Sequence, residues 1–325
     1  MNTIDEFLSL QATKRISLSF RTAKKLHSRA ELLPSGPRWH FQLVPTTHEM
    51  KQPIHLYFRD ALDCVESLFN HPYFADKMDF TPFRLFTTAE HIVRMYTEWM
   101  SSDGAWDLQT KIPAGATLCG VILSSDKTNI TNVCGGRVAH PLLISIANIR
   151  MDMRNKGSSH TFLLLVLMLI AKFTHPVPRM RSVLKACLFH QCLDIVLEPL
   201  KQAACTGGMM SDPVGNIQYC FTPLVSYIVD TPEACMLACV HNNTSPVTTA
   251  TFKEFGNPQC HPPCTSATMM CQLTSIECDF GDVDEFFAMC EQFRLSGVSH
   301  PCWQDWPWGL TSPIPHPRKP TLLAS

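Results

Sequence analysis

The chain of 325 residues has no long apolar run. Its longest, FLLLVLMLIA from Phe162 to Ala171, holds 10 residues, well short of the ~20 that a membrane-spanning helix needs. It also lacks an excess of either charge. Lys and Arg number 27 against 28 Asp and Glu, for a formal net charge of -1. That excludes a global electrostatic pull toward nucleic acid or an anionic membrane. Charged residues make up only 17%, below the roughly 25% of ordinary soluble chains. Glycine is scarce, at 14 against 24 prolines, which points to ordered, proline-bounded connections. The first residues, MNTIDEFLSLQATKRISLSF, show no charged start followed by an apolar run. No secretory signal is read there, so an intracellular chain without disulfides is expected.

Hydrophobic residues reach 45%, enough for a sizeable core in one large domain or two ordinary ones. Cysteine is abundant, at 15. Cys119, Cys187, Cys192, Cys235 and Cys239 sit within apolar runs and read as small core hydrophobes. CHPPC, from Cys260 to Cys264, with Cys271 and Cys278 beyond, is the exception. A zinc site from Cys260, His261, Cys264 and Cys271 lacks a clean second pair, and His261 adjoins Cys260, so zinc is not expected.

Residues 2–33 read as helical, with Asp5 as the first cap and Phe20, Leu26, Ala30 and Leu33 as the buried side. Lys14, Arg15, Arg21, Lys24, Lys25 and Arg29 give this stretch a basic face that can contact phosphates. LPSGP at Leu33–Pro37 stops it. Asp60 caps a helix whose apolar side is Ala61, Leu62, Val65, Leu68 and Phe69. Residues 82–100 are expected to form a further helix with His91, Arg94 and Glu98 outward, broken at Asp103 and Gly104.

After Pro113 and Gly115 the pattern changes to strands. ATLCGVILSSD is the first, ending on Asp126. HPLLISIANI and HTFLLLVLMLIAKF are the second and third, and Met180–Ala204 is the strongest helix. DPVGN is a turn, YCFTPLVSYIVD a fourth strand ending on Asp230, and TPEACMLACV a short helix with Thr231 as its cap. The order β-β-β-α-β-α is the core plan of ribonuclease-H-like α/β folds, in which a mixed sheet sets the first and fourth strands side by side. Their terminal carboxylates could then share hard cations such as Mg2+ or Mn2+. Turn and cap duties are the ordinary role of such loop aspartates.

Several stretches together carry a resemblance. They are RAELLPSGPRW, YFRDALDCVESLFNHPYF, PAGATLCGVILSSDKTNITN, HPLLISIANIR, LFHQCLDIVLEPLKQA, YCFTPLVSYIVDTPEACMLACV and SGVSHPCWQDWPW. The chain resembles the Plavaka-type transposases of mushroom-forming fungi over most of its length. The resemblance implies metal-dependent DNA strand cleavage and transfer, with Asp126 of SSDKT and Asp230 of VDTPE as Mg2+ or Mn2+ ligands. Glu233 of VDTPE joins them as a further catalytic acid or a supporting contact; Asp152 and Asp194 are poorer candidates. The implied partner is transposon-end DNA, met in the nucleus, with Lys24, Lys25 and Arg29 as DNA contacts and homo-oligomers as an option.

The chain departs from the family in lacking an N-terminal zinc finger and in its last residues. The codons for Pro-Ile-Pro-His-Pro-Arg-Lys-Pro-Thr-Leu, read one base on, permit Gln-Phe-Leu-Thr-Pro-Glu-Ser-Leu-His, the family's continuation. A frameshift near Trp308–Ser312 is therefore expected, making a truncated copy that has lost its third carboxylate and its activity. Glu277, Asp279, Asp282, Asp284 and Glu285 are the local substitutes if it is active. The alternative is a non-enzymatic remnant that binds DNA or protein. The expected division is a helical region at 1–110, a ribonuclease-H-like core at 111–240, a loop-rich insertion and partial C-terminal segment at 241–308, and a disordered tail at 309–325.

Overall fold

The computed structural model describes residues 2–32, 36–129, 138–168, 171–276 and 282–307. The chain divides into two compact units, Met1–Arg38 and Trp39–Ser325. In the smaller unit, the stretch read as helical is broken into short helices. It holds three short pieces, α1 (Asn2–Ser9), α2 (Gln11–Lys14) and α3 (Ala23–Ala30). Asp5 does not cap α1; its carboxylate accepts the Ala23 N–H at 2.7 Å and so braces the start of α3. Thr22 is the side-chain cap of α3, accepting from Lys25 N. The Arg21 guanidinium donates to the Ile16 carbonyl at 3.3 Å, satisfying backbone that a continuous helix would have used itself.

In the larger unit, β1 (Trp39–Val44) and β2 (Ile54–Arg59) form a hairpin, followed by α4 (Ala61–Phe69). Asp60 caps α4 through Leu62 N and Asp63 N, as its position before the apolar stripe predicts. The expected helix over 82–100 is absent. That stretch is a small hairpin of β3 (Leu85–Phe86) and β4 (Arg94–Met95), with His91 in the left-handed region at φ 56°. Arg94 and Glu98 turn inward, to the Ser101 carbonyl and the Met151 N–H. Asp103, expected to mark a break, opens α5 (Asp103–Lys111) behind the Ser102 cap.

The expected first strand is two strands. β5 (Thr117–Leu118) belongs to one sheet and β6 (Val121–Ser125) to another. Then come β7 (Thr128–Asn129), β8 (Val138–Ile146), α6 (Met151–Arg154), β9 (Leu163–Met168) and α7 (Pro178–Thr206). β10 (Gly208–Ser211), β11 (Ile217–Phe221) and β12 (Leu224–Ile228) follow, so the expected fourth strand is also divided, at Thr222 and Pro223. β10, β11 and β5 make a separate small sheet. α8 (Thr231–Leu237), α9 (Ser266–Thr274) and α10 (Val283–Phe293) complete the described elements, with mostly irregular chain between α8 and α9.

The main sheet runs β1-β2-β9-β8-β6-β12, with β7 beside β8. β6 is antiparallel to β8 and parallel to β12, so the chain is of mixed α/β class. β1 and β2 belong to this sheet, which corrects the reading of residues 1–110 as a helical region. α4 and α7 pack on each other and on one face of the sheet. Leu123, Leu142, Ile144 and Leu165 from the strands meet Val65, Phe69, Leu193 and Leu200 from the helices in one core. Each such side chain contributes roughly 1.5–3 kcal/mol by leaving water. The same core takes in Cys64, Cys119, Cys192, Cys220 and Cys235. Burial pushes the Cys64, Cys192 and Cys220 thiols up to about 12, leaving them protonated and inert.

Candidate functional site

The site begins with a bulge. Leu224 lies opposite Val121, but the next aligned pair is Ser226 with Ile122, so Val225 is an extra residue in β12. From there the two parallel strands run in step to Ile228 opposite Ser124. Two residues further along each chain stand Asp230 and Asp126. After the bulge, the two aspartates therefore follow the last paired residues by the same number of positions. Both residues are exposed.

Asp230 has a second duty. It is the N-cap of α8, with Oδ1 accepting from Glu233 N at 2.9 Å. This corrects the assignment of that cap to Thr231. Pro232 in the first turn suits the helix start, where no intrahelical acceptor is needed.

Glu233 turns inward instead of toward the aspartates' open side. Its Oε1 accepts from Ser125 Oγ. Both carboxylate oxygens also face His140 Nε2, at 3.0 and 3.1 Å. Because a carboxylate can only accept, Nε2 is the protonated, donating nitrogen. The His140 ring stacks on Phe189 of α7, with centroids 5.1 Å apart. Ser125 Oγ also lies 3.3 Å from the Tyr227 hydroxyl. Burial holds the Tyr227 phenol well above its ordinary range, and the nearby Glu233 charge adds to this against the Ser125 hydrogen bond. Three strands and two helices thus converge on one polar cluster beneath the strand ends. Ser125, His140 and Tyr227 were not picked out from sequence. His140 and Glu233 are 93 residues apart in the chain, and only the strand pairing reveals the cluster.

The other acidic candidates lie elsewhere. Asp152 sits in the first turn of α6. Asp194 and Asp305 both hold Lys201 on α7, a residue only 3% exposed. Burial disfavours the Lys201 ammonium, but the two carboxylates outweigh it and raise its pKa. Asp282 caps α10, with Asp284 and Glu285 in the first turn. Glu277 and Asp279 lie outside the described residues, as do Cys278 and the tail from Trp308. Cys260 and Cys271 are exposed and Cys264 is buried. Among the described residues, no group of three or more His, Cys, Asp or Glu is arranged to hold a metal ion.

Lys24, Lys25 and Arg29 project from α3 and are exposed. Of the apolar side expected for this helix, Leu26 is half-buried and Ala30 exposed; Ala23 is the buried residue. Leu33 lies outside the described residues.

A family model described as Plavaka transposase matches residues 20–311. The chain belongs to the Plavaka transposase family. The match spans the main sheet and both aspartates. No curated protein matches the chain. No described helix of this Plavaka chain is long and apolar enough to cross a membrane.

Proposed function

We propose that this transposase-derived chain carries a ribonuclease-H-like core whose Asp126 and Asp230 bind a divalent cation, an arrangement inherited from DNA strand cleavage and transfer that this copy no longer completes. The observation that carries the reading is the register after the Val225 bulge: Asp126 and Asp230 each follow the last paired residues of the adjacent parallel strands, Ser124 and Ile228, by two positions. The antiparallel run β6-β8-β9, with β12 returning parallel beside β6 after a long helix, supports the fold assignment. The donors suit the cation: two exposed carboxylates offer hard oxygens of the kind that Mg2+ and Mn2+ prefer. Such an ion, when bound, supplies charge stabilisation for the attacking and leaving oxygens of a phosphodiester. The chain's part is to hold the two carboxylates at fixed spacing, one by a buried strand and the other by a helix cap. A chromosomal DNA substrate would set its work in the nucleus.

A second reading is a non-enzymatic DNA-binding remnant. It is favoured by the exposed Lys24, Lys25 and Arg29 on α3 and by the lack of a third ligand among the described residues. Calorimetric titration with Mn2+ separates the two. Binding by the parent chain, lost in both Asp126→Asn and Asp230→Asn, is the expected result. No binding by the parent would remove the enzymatic reading. Salt-sensitive DNA binding that falls on neutralising the three basic residues would then support the second.

A further inference from the structure

We propose that Ser125, His140 and Glu233 form one positioning clamp that fixes the spacing of Asp126 and Asp230, with Glu233 a positioning residue and not a metal ligand. Its functional meaning rests on the metal-site reading above. Three elements meet at a single carboxylate. Glu233 rides on α8, Ser125 ends β6, and His140 lies in β8. Ser125 is 3% exposed and His140 5%; the Glu233 side chain is 9% exposed. Both Glu233 oxygens are engaged inside this cluster. The stack on Phe189 fixes the imidazole plane.

Each proposed ligand is one short step from the clamp. Asp126 is the residue after Ser125. Asp230 accepts the Glu233 backbone N–H. A displacement of Glu233 therefore moves the α8 cap and frees the end of β6 together. A fold that needed only to close this sheet would do as well with apolar residues here, because replacing hydrogen-bonded partners by apolar groups of the same shape is close to neutral. What a fully bonded polar cluster adds is one fixed geometry. At this place in the fold, that geometry is the separation of two carboxylates.

The test uses the full chain and two readouts: backbone amide hydrogen exchange and Mn2+ titration. Glu233→Ala is expected to speed exchange at 124–126 and at Asp230, Thr231 and Glu233 about tenfold, while Leu142–Ile146 stay protected. It should also weaken Mn2+ binding about tenfold, the usual scale for a lost supporting contact. Glu233→Gln, which keeps a carbonyl oxygen for Ser125 and can donate its amide to His140 Nε2 once the imidazole takes its other tautomer, should recover most of both. Ser125→Ala, a milder change, should loosen the same two chain ends. Unchanged exchange in Glu233→Ala and Ser125→Ala would overturn the clamp. So would complete loss of Mn2+ binding in Glu233→Gln with exchange unchanged, since that is the behaviour of a ligand. If the parent takes up no Mn2+, the metal-site reading fails, and the exchange result still decides the clamp either way.

Discussion

Asn148 shows how one side chain can make a strand break tolerable. The chain leaves the small sheet at Leu118 and joins the main sheet at Val121, so the backbone at Cys119 and Gly120 changes partners. Asn148 is fully buried beside it. Its Oδ1 accepts from Gly120 N at 3.1 Å, and its Nδ2 donates to the Leu118 carbonyl at 2.8 Å and the Asp79 carbonyl at 3.0 Å. Asn148→Ala would strand a buried N–H and two carbonyls, each worth about 1–3 kcal/mol when unsatisfied. A loss on the order of 3 kcal/mol or more is expected, read as a lowered urea midpoint. A loss below about 0.5 kcal/mol would show that water replaces the amide. Gly120 also had a signal of its own, as a glycine inside an apolar strand. The continuous apolar run of ATLCGVILSSD masks that signal. A Cβ there would lie 2.9 Å from the Trp99 ring.

Elements were legible where the pattern was local. The Asp60 cap and the apolar stripe of α4 follow from helical spacing alone. The stripe of α7 likewise buries Val183, Leu184, Leu188, Cys192 and Val196. Residues 82–100 misled because the Ala89–Met95 stretch can be read with helical spacing. Tertiary contacts of Arg94 and Glu98 win instead, and a hairpin forms. β1 was overlooked because its apolar residues face solvent: Phe41 is 70% exposed and Leu43 55%. The Val225 bulge could not be read from sequence at all, since it exists only relative to β6. Thus Asp126 and Asp230 were visible as strand-end acids, while their alignment and the inward turn of Glu233 were not. At the C-terminus of α7 backbone conformation and packing both require glycine. Gly207 has φ 74°, and a Cβ on it would run into the Tyr219 ring. Gly207→Ala should cost about 3 kcal/mol or more, combining about 1–3 kcal/mol of strain in a backbone region that essentially glycine alone adopts (φ 74°, ψ 162°) with the clash. Thermal unfolding reads it; adding Tyr219→Leu should recover the clash but not the strain.

At the scale of the whole molecule, the segment Pro301–Pro307 fastens distant parts of the larger unit. Trp303 Nε1 donates to the Leu237 carbonyl at the end of α8, at 2.7 Å. Trp306 Nε1 donates to the Thr222 carbonyl just before β12. The backbone N–H of Cys302 donates to Nδ1 of His190 on α7, at 3.1 Å. His190 Nε2 lies 3.1 Å from the Met236 carbonyl. Only a neutral imidazole satisfies both contacts, donating from Nε2 and accepting at Nδ1. Burial lowers the His190 pKa from 6.5 to about 4, against the opposing Met236 carbonyl and Asp194 charge. In the unfolded chain the ring titrates near its ordinary value, so below about pH 6.5 the unfolded state binds a proton that the folded state refuses. The His190 contribution is complete above that pH and drains away as pH falls through about 4. The loss is on the order of 3 kcal/mol, at about 1.4 kcal/mol for each unit of the shift. Urea unfolding of the parent and of His190→Gln between pH 7.5 and 4.5 checks it. The parent should lose its advantage steadily as the solution is acidified. Burial-raised carboxyls such as Glu98 titrate alike in both proteins and cancel in the difference. Two curves running parallel across that range would mean that His190 takes up its proton in the folded chain as readily as in the unfolded one. The Cys302 contact would then have to break with it.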